Sequence, residues 1–137
     1  MAAIEWSSRL ALGHPDIDTQ HRKLVDLINK LDAAIKAGKG AQAATEAMSE
    51  LRLYTIKHFR DEERLQAAAG YPEMSGHKAF HAEFVARVQQ FEADCQAGRL
   101  GVAHAAMTYL SDWLAKHILK EDRKLVTFLN AKRAIPV

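Results

Sequence analysis

The sequence predicts an all-α protein: an up-down-up-down antiparallel four-helix bundle with an N-terminal arm. Three observations lead to this prediction. Apolar residues recur at three- and four-residue steps in four segments, the pattern of helices that each bury one face. Glycine or proline separates each segment from the next, and no stretch of useful length alternates as a strand does. Long helices joined by short loops favour an antiparallel bundle.

Glycine, proline and one capping residue set the predicted boundaries. Asp18 is expected to cap the first helix, because its carboxylate can accept hydrogen bonds from the free N–H groups of the first turn. The Gly70-Tyr71-Pro72 triplet is expected to end the second helix and to admit the third. The predicted single domain, residues 1–137, has an N-terminal arm at 1–17 and helices at about 19–37, 41–69, 73–97 and 102–131.

The third helix illustrates how the buried faces are assigned. Steps of three and four residues place two histidines, three phenylalanines, a valine and the single cysteine on one stripe. The members of that stripe are His77, Phe80, His81, Phe84, Val88, Phe91 and Cys95. One cysteine permits neither an internal disulfide nor a cysteine-rich zinc site. Cys95 is interpreted as a small core residue, with a redox or catalytic thiol as the alternative.

Composition argues against several classes of protein. The chain has 137 residues, 48% of them apolar, and a net charge of +2 that is too small to favour a nucleic acid or membrane partner. No apolar run approaches the roughly 18 residues that suggest a membrane span. The N-terminus lacks the charged start and apolar stretch of a signal peptide, so a cytoplasmic location is expected.

Seven residues on the predicted helices have the chemistry of a metal cage. Histidine binds iron, zinc, copper or nickel, and carboxylates bridge metals or balance their charge. Residues four apart are neighbours on a helix, so His58 can act with Glu62, and His77 with His81. Several unpaired polar side chains in one core would cost about 1–3 kcal/mol each, and shared metals remove that cost. The candidate metal ligands are His21, His58, Glu62, His77, His81, His117 and Asp122.

The last pair of candidates departs from this spacing. His117 and Asp122 are five residues apart, which leaves them about 140° apart around an ideal helix. Glu121, four residues after His117, has the regular spacing, and spacing alone leaves the choice open. Asp122 can face the site if the helix is irregular there, and we hypothesise a π-bulge, a feature often found at functional sites.

Around these residues the chain resembles the hemerythrin family, over nearly its whole length from about residue 4 to residue 129. One HxxxH pair is a weak signal, whereas seven matching residues in order across four helices are specific. The matching stretches are Ile17-Asp18-Thr19-Gln20-His21, His58-Phe59-Arg60-Asp61-Glu62-Glu63, Tyr71-Pro72 followed by His77 and His81, and His117-Ile118-Leu119-Lys120-Glu121-Asp122.

The resemblance implies a centre of two iron ions, bridged by an oxo or hydroxo group and held by all seven residues. The implied ligands of one iron are His77, His81 and His117, and those of the other are His21 and His58. Glu62 and Asp122 would bridge both irons, so the resemblance favours Asp122 over Glu121. If both irons are six-coordinate, this set leaves one position open on the iron with two histidines, where dioxygen can bind.

Apolar residues one helical turn from the ligands are expected to wall that open position. Residues three or four positions from a histidine share its helical face. Those with this placement beside the first and last histidines are Leu24, Val25, Trp113 and Leu114. A dry wall would protect the reduced site from side reactions. Plain core packing is the alternative interpretation of all four residues.

The leading functional interpretation is reversible dioxygen binding for carriage, storage or delivery to an oxygen-consuming enzyme, in a monomer without catalytic residues. Imidazole-rich ligation supports binding over turnover, because ferritin-like di-iron proteins use about four carboxylates and Glu-x-x-His pairs. The alternatives are an oxygen or redox sensing module, a di-iron enzyme acting on peroxide or nitric oxide, and iron or zinc storage. His14 is expected to lie in a loop.

Overall fold

The computed structural model describes residues 4–38 and 40–134, apart from the side chains of residues 41, 100, 102–104, 133 and 134. Over these residues the protein is all-α. The helices are α1 at Pro15–Lys36, α2 at Gly40–Ala69, α3 at Met74–Gln96 and α4 at Leu100–His117, followed by a π-helical turn, π1, at Ile118–Asp122 and α5 at Arg123–Ala134. The continuous α4–π1–α5 segment is the fourth helix of the bundle, and α2 and α4 each pack against both α1 and α3. The predicted four-helix bundle is confirmed.

The first helix starts earlier than predicted, and Asp18 is not its N-cap. The helix begins at Pro15, and the Nδ1 atom of His14 accepts a hydrogen bond from the backbone of the first turn. Proline is favoured at the first helical position because its missing N–H needs no partner there. Asp18 instead accepts hydrogen bonds from the backbone N–H groups of Leu12, at 2.8 Å, and Gly13, at 3.1 Å. The arm is thereby fastened to the start of α1.

Two hydrophobic clusters fill the bundle, one on each side of a layer of buried polar side chains. The larger cluster includes Leu24, Val25, Leu51, Phe59, Phe84, Leu110 and Leu114. The smaller cluster consists of Ile17, Tyr71, Leu125, Val126 and Leu129, with Leu65 and Phe128 packed against it. Along α1, His21 falls between Ile17 of the smaller cluster and Leu24 of the larger one, and along the fourth helix Asp122 falls between Ile118 of the larger cluster and Leu125 of the smaller one. The candidate ligands therefore occupy one level of the bundle.

Each helix buries one face, and the predicted stripe on α3 is correct except for Phe80. That side chain is 41% exposed, because the buried positions of α3 alternate strictly in steps of four and three and Phe80 lies just outside them. Cys95 is buried in the larger cluster, where burial raises the pKa of its thiol and so disfavours the reactive thiolate. Within the described part of the chain, no helix is long and apolar enough to cross a membrane.

Candidate metal centre

The seven candidate ligands converge inside the bundle, and all of them are buried. His21 comes from α1, and the others come in order along the chain from every remaining long helix. Their exposed fractions are 0% for His21, 1% for His58, Glu62 and Asp122, 2% for His77 and His81, and 6% for His117. Buried histidines and carboxylates at this density need partners, because each unsatisfied polar group in a core costs about 1–3 kcal/mol.

One oxygen of each carboxylate faces a group of three histidines. Glu62 Oε1 lies 2.9 Å from the Nε2 atom of His77 and 3.2 Å from that of His81. Asp122 Oδ1 lies 2.8 Å from His77 Nε2 and 3.0 Å from His117 Nε2. One ligand atom from each of these five residues falls within a cluster whose members are at most 4.8 Å apart.

The other oxygen of each carboxylate faces the two remaining histidines. Asp122 Oδ2 lies 2.9 Å from His21 Nε2, and Glu62 Oε2 lies 3.3 Å from His58 Nε2. These four residues form a second cluster with ligand atoms at most 4.8 Å apart. Glu62 and Asp122 thus belong to both clusters and present a different oxygen to each, which is the arrangement of two bridging carboxylates.

The π-helical turn brings Asp122 into the site. The backbone N–H of Arg123 donates to the carbonyl of Ile118, five residues back, so the turn holds one residue more than an α-helical turn. That extra residue puts the five-apart pair His117 and Asp122 on one face, where a regular helix would separate them by about 140°. The hypothesised π-bulge is confirmed, and the Glu121 side chain is outside both clusters.

Comparison with known proteins identifies the family. The family model named Hemerythrin HHE cation binding domain matches residues 12–129. The chain belongs to the hemerythrin family. Similar proteins include a Bacteriohemerythrin of Stenotrophomonas maltophilia (strain R551-3), 37% identical over 123 residues that span 90% of this chain and 79% of that protein. A Hemerythrin-like protein of Naegleria gruberi is 30% identical over 119 residues, 87% of each chain.

A solved structure supports the same membership. The crystal structure of a hemerythrin mutant matches this chain with a TM-score of 0.86 at 26% identity, covering 94% of this chain and 98% of that one. The resemblance noted in the sequence is confirmed, and the polar cluster of this hemerythrin-family domain is suited to a metal centre.

Two of the cage histidines are oriented by side chains that sequence reasoning missed. His58 Nδ1 lies 2.6 Å from Gln20 Oε1, and His81 Nδ1 lies 3.0 Å from Glu63 Oε2. Gln20 and Glu63 directly neighbour candidate ligands in the sequence, but their partners lie on other helices. Spacing within one helix therefore gives no indication of these contacts. Polarity at the edge of a buried stripe, next to a candidate ligand, was the available signal.

These contacts determine which nitrogen of each histidine is free. The Gln20 amide donates through Nε2 to Asp61 Oδ2 at 3.1 Å, so its oxygen is the atom that faces His58. That oxygen only accepts hydrogen bonds, and so does an ionised Glu63 carboxylate, so Nδ1 of His58 and of His81 carries the proton. The Nε2 lone pairs of both histidines are then available at the centre of the cage, as metal ligation requires.

Aromatic rings pack against the three-histidine group. Phe59 stacks on His81, with ring centroids 3.7 Å apart and planes 3° apart. Trp113 stacks on His117 at 4.4 Å and 11°, and also packs on Phe84 at 4.3 Å. The predicted wall residues Leu24, Val25 and Leu114 are buried in the larger cluster, and Trp113 is partly buried against it. They lie on the side of the cage that faces the larger cluster.

The carboxylates and histidines of the cage shift one another's pKa values, so that protons on the histidines can balance the carboxylate charge when no metal is bound. Burial disfavours the charged form of His21 and of His77, but the adjacent carboxylates of Asp122 and Glu62 outweigh burial and raise the pKa of each histidine to about 9. Burial likewise disfavours the ionised carboxylates, yet the surrounding histidines hold the pKa of Glu62 and of Asp122 well below its usual value. Without metal, two negative carboxylates and protonated imidazoles neutralise one another.

Several cage atoms nevertheless lack a hydrogen bond, which tests whether a metal fits. Both oxygens of Glu62, Asp122 Oδ1, and the Nε2 atoms of His21 and His81 are buried and hydrogen-bond to no atom of the described residues. His21 Nε2 approaches Asp122 Oδ2 to 2.9 Å without the orientation of a hydrogen bond. Ligand atoms that lie this close without bonding one another can instead bind a common metal ion. Imidazole nitrogens and carboxylate oxygens are suited to iron or zinc.

Proposed function

We propose that this protein binds dioxygen reversibly at a non-haem di-iron centre, for oxygen carriage, storage or delivery, and that it is not an enzyme. The observation that carries the proposal is the division of the carboxylate oxygens. Glu62 and Asp122 each direct one oxygen to the three-histidine group and the other to the two-histidine group. Membership of the hemerythrin family supports iron as the metal.

The ligand assignment follows the two groups. We assign His77, His81 and His117 to one iron, His21 and His58 to the other, and Glu62 and Asp122 to both. The buried donor atoms without hydrogen bonds support this assignment, because metal coordination satisfies them together. The groups are unequal, so the His21–His58 side has one protein ligand fewer. A small molecule has a place to bind on that side.

The chemistry is divided between the metal centre and the surrounding residues. Two ferrous ions, when bound, would supply the electrons that reversible dioxygen binding draws on. The proposed walls, Leu24, Val25, Trp113 and Leu114, exclude water from the cage and so slow its loss of electrons to solvent. None of these side chains is an acid that delivers a proton to a bound ligand. Release of unchanged dioxygen is therefore favoured over its reduction.

We also propose that the protein works as a cytoplasmic monomer that delivers dioxygen to an oxygen-consuming enzyme. Its single cysteine is free, as is usual in a reducing compartment. Among the described residues the exposed large apolar side chains are Leu53 on α2 and Phe80 on α3, 60% and 41% exposed. Two such residues on different helices are far less than the contiguous apolar surface of an obligate dimer. Sedimentation of the iron-loaded protein tests the monomer.

The visible absorption spectrum of the iron-loaded protein tests the proposed function. We expect a colourless form when it is reduced without oxygen, an intense absorption band in air, and loss of that band when oxygen is purged. Irreversible conversion to an oxidised form would favour a redox sensor or an enzyme instead. Turnover of peroxide or nitric oxide by the same sample would contradict the binding function directly. A protein that retains no iron would exclude the di-iron proposal.

A further inference from the structure

Gln66 on α2 is the most unusual buried side chain outside the cage. It is 0% exposed, and neither its amide nitrogen nor its amide oxygen hydrogen-bonds to an atom of the described residues. Its position is one helical turn beyond Glu62, on the same face. The surrounding level of the bundle holds the smaller hydrophobic cluster, including Ile17 and Tyr71. An amide with two unsatisfied groups in such surroundings destabilises the fold unless something binds it.

Two histidines of the cage also lack a hydrogen-bond partner among the described side chains, in their case at Nδ1. The Nδ1 atoms of His21 and His77 are buried and without a hydrogen bond among the described residues, unlike the Nδ1 atoms of His58 and His81. When Nε2 binds a metal, Nδ1 carries the proton and becomes a donor that needs an acceptor. In the metal-loaded protein, two buried N–H donors therefore have no acceptor from the described side chains.

Gln66 and these donors lie toward the same end of the bundle. Every Cα–Cβ bond of a helix tilts toward the helix N-terminus, so His21 and His77 extend toward the first turns of α1 and α3. Ile17 precedes His21 by one turn and belongs to the smaller cluster, and the Tyr71 ring of that cluster lies 6.3 Å from the ring of His77. The backbone carbonyl of Gln66 accepts a hydrogen bond from Tyr71 at 2.9 Å, which places Gln66 at this level too.

We propose that Gln66 is a positioning residue for the metal centre, acting through one internal water molecule on the Nδ1–H groups of His21 and His77. The water accepts one hydrogen bond from each imidazole and donates one to the Gln66 amide oxygen. Three hydrogen bonds are typical of a buried water. The two imidazole planes are thereby held with Nε2 toward the cage. The inference rests on the proposed ligand roles of His21 and His77, but it does not depend on dioxygen.

The test replaces Gln66 by methionine, which has similar volume and no amide, and uses Zn²⁺ as the probe. In the zinc-loaded wild type, we expect NMR to show Nδ1–H protons of His21 and His77 that exchange slowly with water. In Gln66→Met, these two signals should shift and exchange faster, while those of His58 and His81, held by Gln20 and Glu63, stay unchanged. Zinc affinity should fall by about 10- to 100-fold, as for loss of other outer-shell partners.

A matched control comes from the opposite side of the cage. Thr55 on α2 is also 0% exposed with an unbonded hydroxyl, and it lies one turn before His58. Thr55→Val should leave the Nδ1–H signals of His21 and His77 unchanged. If Gln66→Met also leaves them unchanged and makes the zinc-loaded protein more stable, Gln66 is simply unsatisfied and the proposal is wrong. Because zinc binds no dioxygen, a failure of reversible oxygen binding would not alter these readouts.

Discussion

The two sides of the metal cage are built differently. On one side, the larger hydrophobic cluster meets the cage with apolar and aromatic side chains such as Leu24, Leu114 and Phe84. On the other side, toward the start of α1, the smaller cluster accompanies the buried amide of Gln66. The first side is suited to exclude water, whereas the second carries the amide that we propose orients two of the cage histidines. The contrast shows that the polar level is bordered by apolar packing on one side and by an unbonded polar side chain on the other.

Within the polar level, the carboxylates join the two groups of histidines. Each of Glu62 and Asp122 turns one oxygen toward each group of histidines, so neither group is complete without both carboxylates. Glu62 is held by a regular helix, whereas Asp122 depends on the π-helical turn. A backbone irregularity at one position therefore serves both halves of the centre.

Removal of Asp122 should have the largest effect, because its two oxygens face both groups of histidines. We expect Asp122→Ala to bind iron or zinc at least about 100-fold more weakly than the wild type, beyond the range seen for outer-shell partners. Elemental analysis and equilibrium titration measure the loss. Glu121→Ala is the matched control, since Glu121 neighbours Asp122 but stays outside both clusters. Equal retention of metal by the two variants would show that Asp122 is not a ligand.

Periodicity predicted most of the fold and the gathering of the site. The four long helices, their buried faces and the convergence of seven polar side chains follow from three- and four-residue spacing, which the structure confirms. Prediction from local sequence signals failed at the start of α1 and at Phe80. Asp18 had the chemistry of an N-cap, but Pro15 favoured an earlier start, and the carboxylate turned back to fasten the arm. Phe80 fitted the spacing of the stripe but lies at its edge.

Residue spacing within one helix could not predict the side-chain contacts between helices. Gln20 and Glu63 stand beside candidate ligands in the sequence, yet each bonds a histidine on a different helix. Helical periodicity assigns a residue to a face but does not say which residue of the next helix lies opposite. The π-bulge could be hypothesised because His117 and Asp122 would otherwise diverge by about 140°. No residue between them encodes it visibly.

Truncation of Leu114 should separate stability from protection of the centre. We expect Leu114→Ala to lower the free energy of unfolding by about 2–5 kcal/mol, as large-to-small core changes do. Water admitted beside His117 should also speed irreversible oxidation of the air-exposed iron protein several-fold, measured as the decay of its visible band. Leu110→Ala is the control, since Leu110 is 0% exposed in the same cluster but one turn farther from His117. If both variants oxidise at the same rate, Leu114 does not wall the site.

The smallest expected effect is a change with pH in the free energy of unfolding of the metal-free protein. Because the pKa of His21 and of His77 is raised from 6.5 to about 9, their contribution to stability is complete below about pH 6.5 and is lost as pH rises through 9. The lowered pKa values of Glu62 and Asp122 act oppositely, and their contribution is lost in acid. Metal-free protein should therefore be most stable from about pH 5 to 6.5.

Bound metal should abolish the loss of stability that the metal-free protein shows as the pH rises from 6.5 to 9. Zinc bound at Nε2 keeps His21 and His77 neutral throughout, so urea unfolding of the zinc-loaded protein should not weaken from pH 6.5 to 9 for this reason. Metal affinity should rise over the same interval, since fewer protons have to be displaced. In the metal-free protein, His21→Gln should flatten the basic slope, because it deletes one of the two responsible groups. A wild-type profile that is already flat from pH 6.5 to 9 would mean that the carboxylates do not hold these protons, and that metal enters a cage of neutral histidines.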